Sequence, residues 1–383
     1  MGEKGVIINR YLIVFLITFF LIQGVFIINA KAEDTNKEQI GLFDFSSLDD
    51  ATDTNIDFKS LVTDIISGGQ TSLKQNFLQQ LQSTLTKELS SNKKAIIQVI
   101  ALAIISAFFT NFSSAFNNQQ ISQTGFFVTC IAMVTILIAI FSVAANTATT
   151  AIESVLTFMK ALIPIYATSI AITSGSMSSI AYYQFILLVI AVVNWVFLNV
   201  VIKGSYIFVM ISAADCIAKE ESLSKLSALI KLIIGWIMKT CLAAVIGINA
   251  IQSLVLPVAD SISSNVLTKA LGMIPGIGNG ISVVSSTVIG AGTLVKNGIG
   301  VAALIVVMVI CLIPIVKLVI FVLTYKFISA IVQPVADKRI VDCINATAEG
   351  MNILLTTIVY SAIMFLITIA IICASTNVNY YTT

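Results

Sequence analysis

Five ionisable side chains lie inside the apolar stretches of this chain, and they are the residues whose types could do chemistry there: Glu153, Lys160, Asp215, Lys239 and Lys317. A charge in hydrocarbon costs about 2.5 to 3.5 kcal/mol or more at mid-span, so each must face protein, pair, or reach an interface. Glu153 and Lys160 are seven residues apart, on one helix face but too far along it to pair directly. The function such residues would serve is a polar pathway through a helical bundle. Lys239 and Lys317 lie within about two turns of the expected cytoplasmic ends, where a long aliphatic stem can carry its ammonium out to water. A proton-driven carrier needs a ladder of carboxylates, and none is visible.

Other chemistry is excluded by what the chain omits. It has no histidine, so Ser-His-Asp catalysis, imidazole acid-base chemistry and His metal sites are ruled out. The six cysteines, Cys130, Cys216, Cys241, Cys311, Cys343 and Cys373, have no paired spacing and avoid the polar N-terminal region, as small apolar packing residues do. No Gly-x4-Gly-Lys-Ser/Thr loop is present, so energy from ATP has to come from a partner. A formal net charge of +2, without a basic tract, speaks against nucleic acid. The chain is therefore expected to be no enzyme and to need no cofactor or metal.

Proline and glycine mark where helices should bend. Lys269 to Gly280 carries Gly272, Pro275, Gly276, Gly278 and Gly280; Pro275 and the extra Gly278 speak against an unbroken helix. A pore-lining hinge and an ordinary loop before the next span both fit this segment. Leu162-Ile163-Pro164-Ile165 recurs around Pro314, and Pro257-Val258-Ala259-Asp260 recurs around Pro334. The two spacings differ, so no single repeat period explains both, but each proline marks a kink or helix end.

The elements that must position these residues follow from composition. With 57% hydrophobic and 10% charged residues, the chain exceeds the roughly 45–50% apolar content of soluble domains. Its apolar runs suit helices in lipid rather than barrel strands. The fold class is all-α, a polytopic helical membrane protein with an N-terminal signal peptide and a small helical extracytoplasmic domain. Residues 1–32 read as the signal, with Ala30-Lys31-Ala32 as its cleavage site; an uncleaved first helix is the competing reading. Residues 33–93 form a polar, then amphipathic, extracytoplasmic domain. In it Leu61, Ile65 and Ile66, then Leu73, Phe77, Leu78, Leu81, Leu85 and Leu89, recur at helical steps around Gly68-Gly69. Their stripe needs a partner: the bundle's own outer face, a second subunit, or the membrane surface.

Residues 94–375 form the bundle, followed by a polar tail at 376–383. Spans are expected near 95–115, 126–146, 152–173, 183–202, 230–256, 299–325 and 350–373, with broken or re-entrant pieces near 205–218 and 274–292. The charged loops from Lys219 to Lys231 and from Lys326 to Arg339 should be cytoplasmic. Counting then meets a difficulty. Four full spans before Lys203 leave that residue outside, and the 14 residues from Ser205 to Ala218 are too few for an ordinary crossing of about 20.

The signal-bearing N-terminus, the double-glycine break, and Lys269 to Gly278 resemble stage III sporulation protein AE. So do Gly290 to Gly300, the span holding Pro314 and Lys317, and Gln333-Pro334-Val335-Ala336-Asp337-Lys338-Arg339. The resemblance implies a membrane component of a channel or secretion-like complex linking mother cell and forespore, needed for late forespore development. It implies a location in the mother-cell (outer forespore) membrane, with the N-terminal domain in the intermembrane space. The partners it implies are ATPase-like and ring-forming stage III sporulation proteins and a forespore-made protein. A self-contained secondary permease and a passive scaffold anchoring the extracytoplasmic domain are the alternatives.

Overall fold

Between Gln119 and Ser174 the only proline is Pro164, and alanine, threonine and large apolar residues dominate the rest, so nothing in the sequence forces a turn. The chain forms one α-helix of 56 residues there. The computed structural model describes residues 40, 43–51, 57–67, 93–94, 96–108, 119–174, 177–217, 223–271 and 278–375, with side chains except at 67, 119–122, 171–183, 216, 252–291 and 374–375. The helices are α1 (Ser46–Asp50), α2 (Phe58–Ser67), α3 (Ile96–Phe108), α4 (Gln119–Ser174), α5 (Met177–Val196), α6 (Ile202–Ile217), α7 (Ser224–Leu271), α8 (Gly278–Val332) and α9 (Lys338–Ser375). No strand occurs among the described residues.

Five of these runs are long and apolar enough to cross a membrane: 123–170, 184–215, 224–251, 292–332 and 338–373. Two differences from the expected spans change the count and move the short crossing to Ile96–Phe108, ahead of α4. The pieces at 126–146 and 152–173 are one helix, because the Ala-Thr-rich stretch between them keeps helical backbone. The piece at 205–217 is joined to 183–202 through a π-turn at Phe197–Val201, which adds a residue to the helix without ending it. Asn199 Nδ2 donates to the Trp195 carbonyl at 3.1 Å and Lys203 Nζ to Asn199 Oδ1 at 3.1 Å across that turn. The backbone is also helical from Gly278 onward, inside the segment expected to break, while 272–277 lie outside the described residues.

α9 is the central element. It packs against α8, α6, α4, α7 and α5, and 72% of its apolar window is buried against 17% for α7 on the rim. Gly350 permits this centre to close: a Cβ there would meet Val209 of α6 and come within 3.0 Å of the Phe141 ring of α4. At one end of the bundle the Arg339 guanidinium lies 4.1 Å from the centroid of the Phe126 ring. In the same half, Lys231 Nζ meets Glu349 Oε2 at 2.6 Å. Toward the other end, Tyr166 Oη and Cys373 Sγ are 3.2 Å apart.

The amphipathic stripe of α2 is covered by the bundle itself. Phe58, Leu61 and Val62 are buried, the Phe58 ring lies 6.1 Å from that of Phe158 on α4, and Val62 and Ile66 approach Gly298 of α8. Burial of each such side chain contributes about 1.5 to 3 kcal/mol. Asp57 Oδ1 accepts the Ser60 N–H at 3.0 Å as an N-cap. Asp49 Oδ1 accepts the Phe58 N–H at 2.9 Å, tying α1 to α2. The leucine-rich stretch at 73–89, Ala30 and Ala32 lie outside the described residues.

Candidate functional site

Polar groups in the bundle interior are used to join helices. Along α9, Thr357 Oγ1 donates to Met238 Sδ at 3.4 Å, and Ser361 Oγ to Asn194 Oδ1 at 3.0 Å. Further along, Asn249 Nδ2 donates to Thr368 Oγ1 at 3.1 Å. Such bonds within lipid average about 0.6 kcal/mol and act mainly as registration points. Buried valine, isoleucine, leucine and phenylalanine separate them. The Asn194 Nδ2, the Asn297 Oδ1 and the Tyr325 hydroxyl are buried without a hydrogen-bond partner among the described residues.

The outer face of α4 is different. Its exposed positions include Thr135, Ala139, Ser142, Asn146, Thr150, Glu153, Thr157, Lys160, Pro164 and Thr168. The spacing is three or four residues throughout, the period that keeps side chains in one row along a helix. Val143, 51% exposed, lies beside this row, and toward its N-terminal end the same helix also exposes Phe127, Val128 and Ile131. At comparable depth, α5 and α6 turn Leu188, Val192, Trp195, Ile207 and Met210 outward, and α7 turns out Leu232, Trp236 and Ile246. Those surfaces are apolar. The α4 row is polar.

Depth follows from cross-helix contacts. Phe141 lies at the level of Gly350, and Tyr166 at that of Cys373. Between them α4 rises about 37 Å, and Phe158, which meets Phe58 of α2, falls inside that length. Glu153 falls at the middle of that length.

Thr135 and Thr168 are the least costly members of the row, because they bond to their own helix. Thr135 Oγ1 donates to the Ile131 carbonyl at 2.8 Å and Thr168 Oγ1 to the Pro164 carbonyl at 2.8 Å, the back-bonding available to Ser and Thr in helices. The Pro164 carbonyl thereby gains a donor within the proline-containing turn. Asn146, Glu153 and Lys160 have no such bond among the described residues. Beside the row an open cleft of about 390 Å³ is lined by Ala139, Ser142, Asn146, Thr149 and Tyr206. The Tyr206 hydroxyl donates to Ser142 Oγ at 3.2 Å, and its ring stands edge-on to Phe141 at 5.0 Å.

The other sequence-selected charges are dispersed. Asp215 Oδ1 accepts the Leu223 N–H at 3.1 Å and ties the end of α6 to the start of α7, so it serves a helix junction. Lys239 is exposed on α7, an isolated cation on an otherwise apolar face. Lys317 is half-buried on α8 with its ammonium 6.0 Å from the Phe321 centroid. Pro314 lies inside α8, Pro257 lies in the helical backbone of α7, and Pro334 stands in the turn after α8, where it ends the helix instead of kinking it. Gly278 and Gly280 open α8; Gly272, Pro275 and Gly276 lie outside the described residues.

Sequence reading selects Glu153 and Lys160 but misses Ser142, Asn146, Thr150 and Thr157. The signal is a helical period of polar residues, hidden when 126–146 and 152–173 are treated as separate spans. Reading also misses Lys296, which is 1% exposed on α8. No group of three metal-binding side chains occurs among the described residues. Hydroxyls, an amide, a carboxylate and an ammonium at helical spacing can solvate water or a polar solute; they form no nucleophile–base pair.

Comparison with known proteins places this geometry. The family model described as Stage III sporulation protein AE matches residues 56–376. The chain is 23% identical over 322 residues to Stage III sporulation protein AE of Bacillus subtilis (strain 168), covering 84% of this chain and 81% of that relative. No solved structure matches.

Proposed function

The chain belongs to the stage III sporulation protein AE family, and from that premise we propose that it is a membrane core subunit of a channel or secretion-like assembly joining mother cell and forespore. Its role is in sporulation, and its substance is five long apolar helices with no enzyme-type family match. The observation that carries the proposal is the outward polar row of α4. A self-contained permease needs its path inside the bundle, whereas here the described interior is mostly apolar, its polar groups are spaced apart, and a continuous polar row faces out.

In this reading the charged end, with Lys231, Arg339 and the α8–α9 turn, faces the mother-cell cytoplasm. The end bearing α2 faces the intermembrane space, following removal of residues 1–32 after Ala32. There the N-terminal domain meets ring-forming sister proteins and a forespore-made partner, while an ATPase-like sister supplies energy from the cytoplasmic side. The Gly272 to Gly280 segment is the hinge at that outer end.

Isolation of the chain from sporulating cells in mild detergent tests the proposal. ATPase-like and ring-forming sporulation proteins are expected to accompany it. Recovery of the chain alone, together with transport by the purified chain in vesicles, would overturn it in favour of a lone carrier.

A further inference from the structure

We propose that α7 is a two-position helix, held against α9 by polar contacts in the structure described and parted from it when the protein works in sporulation. The proposal goes beyond the channel reading above and does not depend on it.

α7 and α9 run parallel in one register. Lys231 meets Glu349, Met238 meets Thr357 and Asn249 meets Thr368, pairs offset by 118, 119 and 119 residues. Polar contacts therefore stitch about 27 Å of this seam. Its apolar cover is thin. The buried side chains of α7, Ser227, Ile234, Met238, Val245 and Asn249, fall seven or four residues apart, a strip about one side chain wide. Only 17% of the apolar window of α7 is buried, against 39% or more in the other four spans. A helix with few buried apolar contacts and weak interhelical hydrogen bonds is the one that opens at least cost.

Beneath α7 lies an amide that this position leaves unsatisfied. Ser361 shares the face of α9 that carries Thr357 and Thr368, so Asn194 of α5, which accepts its hydroxyl at 3.0 Å, stands where α5, α7 and α9 meet. Asn194 is fully buried and its Nδ2 has no hydrogen-bond partner. Set either way round, the amide keeps one heteroatom that Ser361 cannot serve. An unpaired polar atom in a dry seam destabilises the position that buries it. Parting α7 from α9 opens a route to it for water, and the hydroxyls and amides along the opened seam supply the partners that a file of waters needs. Lys231 and Glu349 are both partly exposed, so their pair can separate into water. The ion pair thus holds α7 in place while the buried amide loads it toward release. Pro257, in the helical backbone of α7 beyond Asn249, cannot bond the carbonyl four residues before it and is the pivot.

The test uses the full chain in sporulating cells. Met238→Cys with Thr357→Cys sets two thiols at a contact of 3.4 Å between the native side chains; Asn249→Cys with Thr368→Cys is a second lock should the first fail to accumulate. A mild oxidant closes the disulfide and a reductant reopens it, with the four single substitutions under the same oxidant as background. Once the disulfide has formed, heat-resistant spores are expected to fall at least tenfold below that background and to recover on reduction. A locked chain that supports as many spores as its reduced form would overturn the proposal, and so would failure of both pairs to close, since the seam would then not be the resting position. Asn194→Leu is the independent arm. It removes the unpaired amide and leaves Ser361 able to bond a carbonyl of its own helix, so the thermal midpoint in detergent should rise while spore counts drop at least tenfold. A lowered midpoint, or full spore counts, would overturn the proposal. Neither arm reads which proteins accompany the chain, so the channel reading stands or falls separately.

Discussion

Glu153 and Lys160 share the outward face of α4, about 10 Å apart along its axis, and neither meets a charge of opposite sign among the described residues. Glu153 lies midway between Phe141, which packs on Gly350, and Tyr166, which reaches Cys373. A carboxylate turned toward the hydrocarbon interior would cost about 2.5 kcal/mol or more. Against water it costs little, and its loss would then be felt in function and not in folding.

Glu153→Leu and Lys160→Leu are therefore expected to lower the count of heat-resistant spores at least tenfold while the protein accumulates normally in membranes. Glu153→Gln should retain more function, since an amide still binds water. If the row faced lipid, the leucine variants would be as active as the parent and more stable; spore counts and membrane immunoblots together separate the two.

Gly350→Leu should damage the bundle itself. Its side chain would enter the space held by Val209 and Phe141, and overpacking of this kind costs about 1 to 3 kcal/mol. Gly247→Ala is the matched control, because a Cβ there meets nothing within 4 Å. Thermal unfolding in detergent should fall for the first and stay level for the second; equal midpoints would contradict the packing described.

Phe58→Ala should release α2 from the bundle without unfolding the rest. The side chain is 2% exposed and joins Phe45 to Phe158. Removing a buried phenylalanine costs about 3 to 5 kcal/mol, and α2 is short enough to open by itself. Amide exchange across 58–67 should quicken about a hundredfold or more, with α9 unchanged. Unaltered exchange in α2 would show that the docking contributes nothing.

The fold class is legible in the sequence because lipid imposes a constraint composition can report: long apolar runs and few charges. The stripe at Leu61, Ile65 and Ile66 is legible as well, though not its partner, since periodicity names a face and not what covers it. The joins at 147–151 and 203–204 are hidden for a different reason. Alanine and threonine neither demand a helix nor end one, and Lys203-Gly204 reads as a helix end; packing against α9 decides. Half of the candidate row is visible as two charges on one face. The rest is serine, threonine and asparagine, residues that a helix in lipid tolerates by back-bonding and that become informative once the outward faces of α5 and α7 are seen to be apolar. Gly350 carries no signal at all in the sequence, because its need arises where three helices cross.

The central claim, that the outward row of α4 faces water, is tested most directly by thiol access in native membranes. Thr150→Cys, at the middle of the row, and Leu188→Cys, on the apolar face of α5 at bundle depth, are treated with a charged, membrane-impermeant methanethiosulfonate. The account expects the cysteine at 150 to react at a rate approaching that of a solvent-exposed thiol and the cysteine at 188 to stay unmodified. A cysteine at 150 as inert as the one at 188 would contradict it.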